Sequence, residues 1–270
     1  MNTRLVSMSF AALLLLCSAV SFAGEFEDGL TAFTRGDYKT AVTMFTKAAN
    51  KGDAEAQYMV GLLYAIGQGV SQDYKQAVAW YRKAADQGYA SAQNELGGIY
   101  AEGQGVPQDY KQAVVWYRKA ADQGYASAQF NLGQRYYEGQ GVTQDYSQAA
   151  SWYRKAADQG NAGAQYNLAV MYDNGTGVTQ DYKQAMVLYR KAADQGLVRA
   201  QNNLGLLYLK GNGVTQDYVE AHKWLNIAAA YSTEKEVRDT ATENRDLAAK
   251  SMTPAQIAEA QKRASEWKKK

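Results

Sequence analysis

Between Ala54 and Ser232 the chain repeats itself five times at a period of 36 residues, and no other property restricts its fold as much. The blocks open at Ala54, Ala90, Ala126, Ala162 and Val198. They share the pattern A-x-A-Q-x-x-L-G-x-x-Y-x-x-G-x-G-V-x-Q-D-Y-x-x-A-x-x-W-Y-x-K-A-A-D-Q-G. A period of this size marks a solenoid, in which each unit buries its apolar face only by stacking on its neighbours. Such an array offers an extended surface to a partner. The repeats do not name that partner.

The block from Ala90 to Tyr125 shows what one unit does. Ala92, Leu96, Gly97 and Tyr100 lie on one face of a helix. Gly103 and Gly105 follow, where the chain must turn, and Val106 pins the loop, recurring as Val70, Val142, Val178 and Val214. Asp109 then stands at a cap position with Gln112 three residues on, a variant of the capping box in which Asp accepts a backbone N–H and Gln reaches back to the cap. Its counterparts are Asp73, Asp145, Asp181 and Asp217. The second helix carries a broad apolar stripe of Ala113, Trp116, Tyr117, Ala120 and Ala121, and Gly124 closes it. The unit is therefore a helix, a seven-residue loop and a second helix.

The recurring aromatics, Tyr64, Tyr100, Tyr136, Tyr172 and Tyr208 together with Trp80, Trp116, Trp152 and Trp224, stand at helical spacing and belong to a core rather than a stacking platform. The Asp column is a set of caps, not paired carboxylates for acid–base work.

Residues 1–23 are set apart as a signal peptide. Arg4 supplies a positive start and Ala11 to Val20 a short apolar core. Ser21-Phe22-Ala23 places small residues where a signal peptidase reads, so cleavage falls before Gly24. The apolar run is about half of the roughly 20 residues a membrane span needs. A lipidated Cys17 is disfavoured because Leu16 is too bulky for the position before it. The expectation is a periplasmic or secreted protein with no membrane insertion after cleavage. Losing Arg4 leaves 28 basic and 27 acidic residues of the 29 and 27 in the full chain, a formal charge of +1. That balance gives no sign of a nucleic-acid binder. Cys17 is the single cysteine, so the exported chain must be held by packing alone.

The segments L-G-x-x-Y, G-x-G-V, D-Y-x-x-A and W-Y-x-K-A-A closely resemble the Sel1-like repeat family, relatives of tetratricopeptide repeats with a longer loop between the two helices. The resemblance implies an all-α fold: a right-handed α-solenoid of stacked helix–loop–helix repeats at 54–89, 90–125, 126–161, 162–197 and 198–232. Ala169 in place of Gly, Leu188 in place of Trp, Leu225 in place of Tyr and Val198 at a block start depart from it.

Residues 24–53 look like a shorter, tetratricopeptide-like opening repeat, with Phe26, Leu30 and Phe33 on one helix, a turn at Gly36-Asp37-Tyr38, and Ala41, Phe45 and Ala48 on the next. Residues 233–270 are expected to form capping helices, with starts at Thr233-x-x-Glu236 and Thr253-Pro254-x-Gln256. Ile257, Ala260, Ala264 and Trp267 would line the last of them.

In this family the repeats serve as interaction scaffolds, often in exported bacterial proteins that assemble complexes, modulate envelope sensors or contact host cells. By analogy with tetratricopeptide repeats, first helices line the concave face, and the residues that vary between blocks carry specificity. Those positions are Tyr58, Leu62, Ala65 and Ile66 in the first block, Asn94, Gly98, Ala101 and Glu102 in the second, Phe130, Gln134, Tyr137 and Glu138 in the third, and Tyr166, Val170, Asp173 and Asn174 in the fourth. The fifth block contributes Asn202, Leu206, Leu209 and Lys210. Rigid aromatics among polar groups suit a groove that binds an unidentified protein or peptide.

Catalysis has little support. Cysteine-rich members of the family have been associated with penicillin binding and weak β-lactamase activity, but they carry a cysteine pair in each repeat. A cell-wall-fragment or β-lactam binding module, and a secreted host-interaction factor, stand as alternatives to the scaffold. Ser-x-x-Lys occurs at Ser232–Lys235 and Ser265–Lys268 without the companion motifs a serine β-lactamase needs. His222 is the only histidine, so no metal centre and no His-activated nucleophile is expected. The glycine pairs lack the third glycine and the strand–helix setting of a nucleotide site. No cofactor is expected.

Overall fold

The computed structural model describes residues 23–269, so the expected signal peptide and Cys17 lie outside the described residues. Fourteen α-helices and no strand are found among them. Residues up to Ala84 and from Ala85 onward form two compact units.

The first unit holds α1 (Ala23–Thr34), α2 (Tyr38–Asn50), α3 (Ala54–Ile66) and most of α4 (Tyr74–Asp86). Asp37 caps α2 by accepting from the Thr40 N–H at 3.1 Å, which makes the tight turn expected there. Phe26 packs on the fully buried Phe45 with ring centroids 5.5 Å apart. Tyr58 packs on Tyr81 in the same way at 5.6 Å.

The second unit continues with α5 (Ala90–Glu102), α6 (Tyr110–Asp122), α7 (Ala126–Glu138), α8 (Tyr146–Asp158), α9 (Ala162–Asn174), α10 (Tyr182–Asp194), α11 (Val198–Lys210) and α12 (Tyr218–Tyr231). Each first helix packs on the second helix of its repeat, and each second helix packs on the first helix of the next. Ala113, Ala120, Ala149, Ala156, Ala185 and Ala192 are wholly buried at these crossings, so the helices approach closely around the larger rings. α13 (Lys235–Ala249) and α14 (Pro254–Glu266) fold onto α12.

Glycine at 133 is a packing requirement. A Cβ there would stand 2.8 Å from the ring of Tyr153, which is 1% exposed. At the C-terminus of α5, Gly103 takes φ +71° and its N–H donates to the Ile99 carbonyl at 2.9 Å. The loop after it is held to the helix it leaves. The Asp109 N–H donates to the Tyr100 carbonyl at 2.8 Å, and Gln108 Nε2 to the Ala101 carbonyl at 2.8 Å, satisfying carbonyls that a helix end leaves orphaned.

This arrangement corrects the expected capping box. Asp109 does accept from the N–H groups of Lys111 and Gln112, at 2.9 and 3.0 Å. The Asp109 N–H, however, already serves Tyr100, so Gln112 has no donor to return to. The reciprocal box is complete at Thr253–Gln256. At α13 the expected start shifts by one: Glu234 is the cap residue and no side chain caps it. Trp267 ends rather than lines α14, packing against Trp224 and Tyr231 at 6.4 and 5.8 Å.

Two polar ladders run along the repeats. The Gln of A-x-A-Q is buried as Gln93, Gln129, Gln165 and Gln201, and each donates Nε2 to a carbonyl of the preceding helix: Ala85, Ala121, Ala157 and Ala193, at 3.0 to 3.2 Å. The Gln of D-Q-G then donates to its Oε1, from Gln123 to Gln93 (2.7 Å), Gln159 to Gln129 (2.8 Å) and Gln195 to Gln165 (2.9 Å). In the second ladder Arg118, Arg154 and Arg190 donate to the hydroxyls of Tyr136, Tyr172 and Tyr208 in the following repeat. The Tyr column is thus core by its rings and an inter-repeat tie by its hydroxyls.

Candidate binding face

The first helices of the second unit bring their variable residues to one face. On α5 these are Asn94, Glu95, Gly98 and Glu102, and on α7 Asn131, Gln134, Arg135, Tyr137 and Glu138. α9 supplies Tyr166, Asn167 and Asp173, and α11 supplies Arg199, Asn202, Asn203, Leu206 and Lys210. Their spacing at three and four residues keeps them on one side of each helix.

The residues expected to bind a partner divide by burial. Tyr58 is 2% exposed and its ring lies on Tyr81, so it is a core residue and presents no ring to a partner. Phe130 and Tyr166 repeat that packing on Tyr153 and Tyr189, at 5.8 and 5.9 Å, but stay half-buried with an open edge. An aromatic at this position fills the same slot each time, and sequence periodicity alone does not distinguish a slot from a groove. Leu62 and Ile66 are half-buried in the first unit.

Asn94 is 9% exposed and is held by other amides: Asn131 Nδ2 donates to its Oδ1 at 2.9 Å, and its own Nδ2 donates to Glu95 at 3.3 Å. Glu102, Tyr137 and Glu138 are exposed. Gln134 donates to Glu138 at 2.8 Å, Arg135 pairs with Glu138 at 3.1 Å, and Tyr137 meets Tyr146 edge-on at 5.1 Å.

Two depressions open on this face. One, about 330 Å3, is lined by Tyr166, Arg199, Asn202, Asn203 and residues Glu234 to Thr240 at the start of α13. The other, about 100 Å3, is lined by Asp173, Asn203, Leu206, Leu207, Lys210 and Asn212. Asn203 belongs to both and is anchored by donating to the Tyr189 hydroxyl at 3.1 Å, which in turn donates to Asp173 at 3.2 Å. Burial pushes the Tyr189 phenol well above its ordinary range and raises the Asp173 carboxyl. Tyr166, Asp173, Asn202, Leu206 and Lys210 are therefore the expected residues that line depressions. Asn203 and Arg199 went unidentified, although the recurrence of Asn at 131, 167 and 203 was visible in the sequence.

Elsewhere the polar groups are tied to structure. Ser232 donates to the Glu234 carbonyl at 2.9 Å and Lys235 pairs with Asp239 at 2.5 Å, while Ser265 donates to the Lys262 carbonyl at 2.8 Å. Neither serine is poised with its lysine. His222 is 3% exposed, its Nδ1 has no partner, and burial lowers its pKa. Among the described residues no cluster of three or more His, Cys, Asp or Glu could hold a metal ion, and no helix is long and apolar enough to cross a membrane.

The Sel1 repeat family model matches residues 19–53, 54–89, 90–125, 126–161, 162–197 and 198–230. Among solved structures the chain is similar to a Sel1 repeat protein from Oxalobacter formigenes, with 32% identity and a TM-score of 0.71 over 84% of this chain and 100% of that one. A protective antigen of uropathogenic Escherichia coli with an SLR fold matches at 27% identity and a TM-score of 0.37, covering 91% and 84% of the two chains. A Sel1 repeat protein from Klebsiella pneumoniae matches at 24% identity and 0.48, covering 77% and 99%. No curated protein matches the chain.

Proposed function

Because the chain belongs to the Sel1 repeat family, whose members generally mediate protein–protein interaction, we propose that it is an exported scaffold that holds an extended segment of a partner protein along its first-helix face. Solenoids of this kind are typically non-catalytic, and we assign no reaction to it. The observation that carries the reading is the pair of depressions either side of Asn203. Two side-chain-sized openings separated by an anchored amide suit a polypeptide, which offers side chains at intervals and backbone groups between them. Export rests on the pattern of Arg4, Ala11 to Val20 and Ser21-Phe22-Ala23.

The test is cross-linking capture from a cell-envelope extract, using wild type and a Gln134→Ala/Tyr137→Ala/Leu206→Ala variant with an unchanged helical circular-dichroism spectrum. A protein captured by wild type and lost with the variant supports the face. Equal capture by both moves the interface elsewhere, and capture by neither overturns the scaffold reading. Mass spectrometry of the protein recovered from the periplasm or medium tests export, with Gly24 as the expected first residue.

A further inference from the structure

The second repeat differs from the others at one spot of the first-helix face. Where the other blocks carry Leu62, Gln134, Val170 and Leu206, this one carries Gly98. The side chain that would cover α5 is therefore missing at that point. Below the gap lies Tyr117, which is 6% exposed. Its ring crosses Gly97, and its hydroxyl reaches on to 3.7 Å from the Cβ that Gly98 lacks.

That hydroxyl has no hydrogen-bond partner among the described residues. Its counterpart Tyr189 receives Asn203 Nδ2 from fourteen residues further on. The equivalent residue for Tyr117 is Asn131, which turns away and donates to Asn94 at 2.9 Å instead. A phenol whose ring is nearly buried is thus left without a partner in the protein, with its oxygen facing the gap.

Carboxylates flank the gap on the same helix face. Glu95 and Glu102 stand three residues before Gly98 and four after it, and neither has an ion-pair partner among the described residues. Glu95 is held by one amide contact, from Asn94 at 3.3 Å. Burial raises its pKa, and the charge of Glu102 raises it further. The nearby cation, Arg135, turns its two terminal nitrogens to Glu138 and Gln140 and lies against the Tyr110 ring, while its buried Nε has no partner.

We propose that the gap over Gly98, floored by the Tyr117 hydroxyl and flanked by Glu95 and Glu102, receives the ammonium group of a lysine side chain from the partner's extended segment. Three acceptor groups around a space one side chain wide match a compact ammonium with three rotatable donors better than a planar guanidinium fork. The missing residue at 98 leaves room for the lysine's methylene stem. The inference rests on the scaffold reading and names one feature of its partner.

The probe is Nα-acetyl-lysine N-methylamide, titrated into the purified protein with 13C-labelled tyrosine. The Tyr117 ring signal is identified by its loss in Tyr117→Phe. A saturable shift of that signal is expected, with none from the norleucine or Nε-acetyl-lysine analogues. Gly98→Leu and Glu95→Gln/Glu102→Gln should each weaken the shift at least tenfold. Gly98→Leu is compatible with folding, because a Cβ there meets only the Tyr117 hydroxyl, in ordinary contact, and leucine stands there in block five. Equal shifts from the norleucine analogue, or an undiminished lysine shift in Gly98→Leu, would overturn the proposal. The same variant in the capture experiment separates the two readings. A partner bound equally by wild type and Gly98→Leu overturns the lysine site and leaves the scaffold standing. A partner lost with Gly98→Leu supports both.

Discussion

Gln159 Nε2 donates to Gln129 Oε1 at 2.8 Å, joining two residues thirty positions apart at the seam between consecutive repeats. Gln129 in turn donates to the Ala121 carbonyl, and Gln159 to the Gly124 carbonyl. The seam is therefore sealed by amides whose donors and acceptors are matched inside the protein, where an unmatched one is expensive.

Replacing Gln129 with Leu removes two of these bonds, leaves Gln159 Nε2 without its buried acceptor, and leaves the Ala121 carbonyl with its backbone donors alone. The expected loss is about 2 kcal/mol, seen as a lower urea midpoint. Gln201→Leu should cost clearly less, because Gln201 Oε1 has no partner to lose.

Gly133→Ala should destabilise the protein even though alanine is the better helix former by about 1 kcal/mol. The new Cβ lands 2.8 Å from the buried Tyr153 ring, and overpacking costs typically 1–3 kcal/mol. A melting temperature at or above wild type would contradict this account of the L-G pair. In the fourth repeat Ala169 occupies the equivalent position, and Tyr189 above it stays fully buried, so that repeat has absorbed the methyl by local adjustment.

The tryptophans should respond unequally. Trp224 Nε1 donates to Glu220 at 3.2 Å, whereas the buried Trp116 Nε1 has no acceptor. Trp116→Phe removes an unpaired donor and Trp224→Phe breaks a bond, so the first should lower the thermal midpoint less. Truncation of either to Ala should cost roughly 3–5 kcal/mol.

His222 should impose an acid limit on stability. Burial, then the nearby Arg245, lowers its pKa in the fold, so the unfolded chain binds the proton more readily. Its contribution is fully present above the ordinary histidine value of about 6.5 and is lost as pH falls through the depressed folded value. Glu95 acts in the opposite sense: its raised pKa favours the neutral form, so stability is lost as pH rises from the ordinary carboxylate range through its folded value. Urea midpoints between pH 4 and 8 separate them. Glu95→Gln should raise the midpoint at pH 7 and converge on wild type in acid, and His222→Leu should flatten the loss below pH 6.5.

The helices and their turns were legible because each rests on local chemistry that recurs: Asp109 and its counterparts as caps, Gly103 and its counterparts as left-handed stops. The misjudged features depend on what a neighbour has already taken. Gln112 looks able to complete a capping box until Tyr100 is seen to hold the Asp109 N–H. Tyr58 looks like a groove residue until Tyr81 covers it. Asn131 follows the Asn column in sequence yet donates to Asn94 rather than to a tyrosine. Such competition is settled by distance, which a periodic pattern does not encode.

The glutamine ladder also determines where the array can grow. The position that supplies Gln123, Gln159 and Gln195 falls next on Tyr231, whose ring turns to Trp267 and leaves Gln201 Oε1 without a donor. A duplicated copy of residues 126–161 inserted at 162 would find a matching amide on both sides, whereas a unit spliced in after Tyr231 would meet a rung that does not fit. Copy number is therefore free to drift inside the array and fixed at this edge, so lengthening the binding surface requires internal duplication rather than extension past Tyr231.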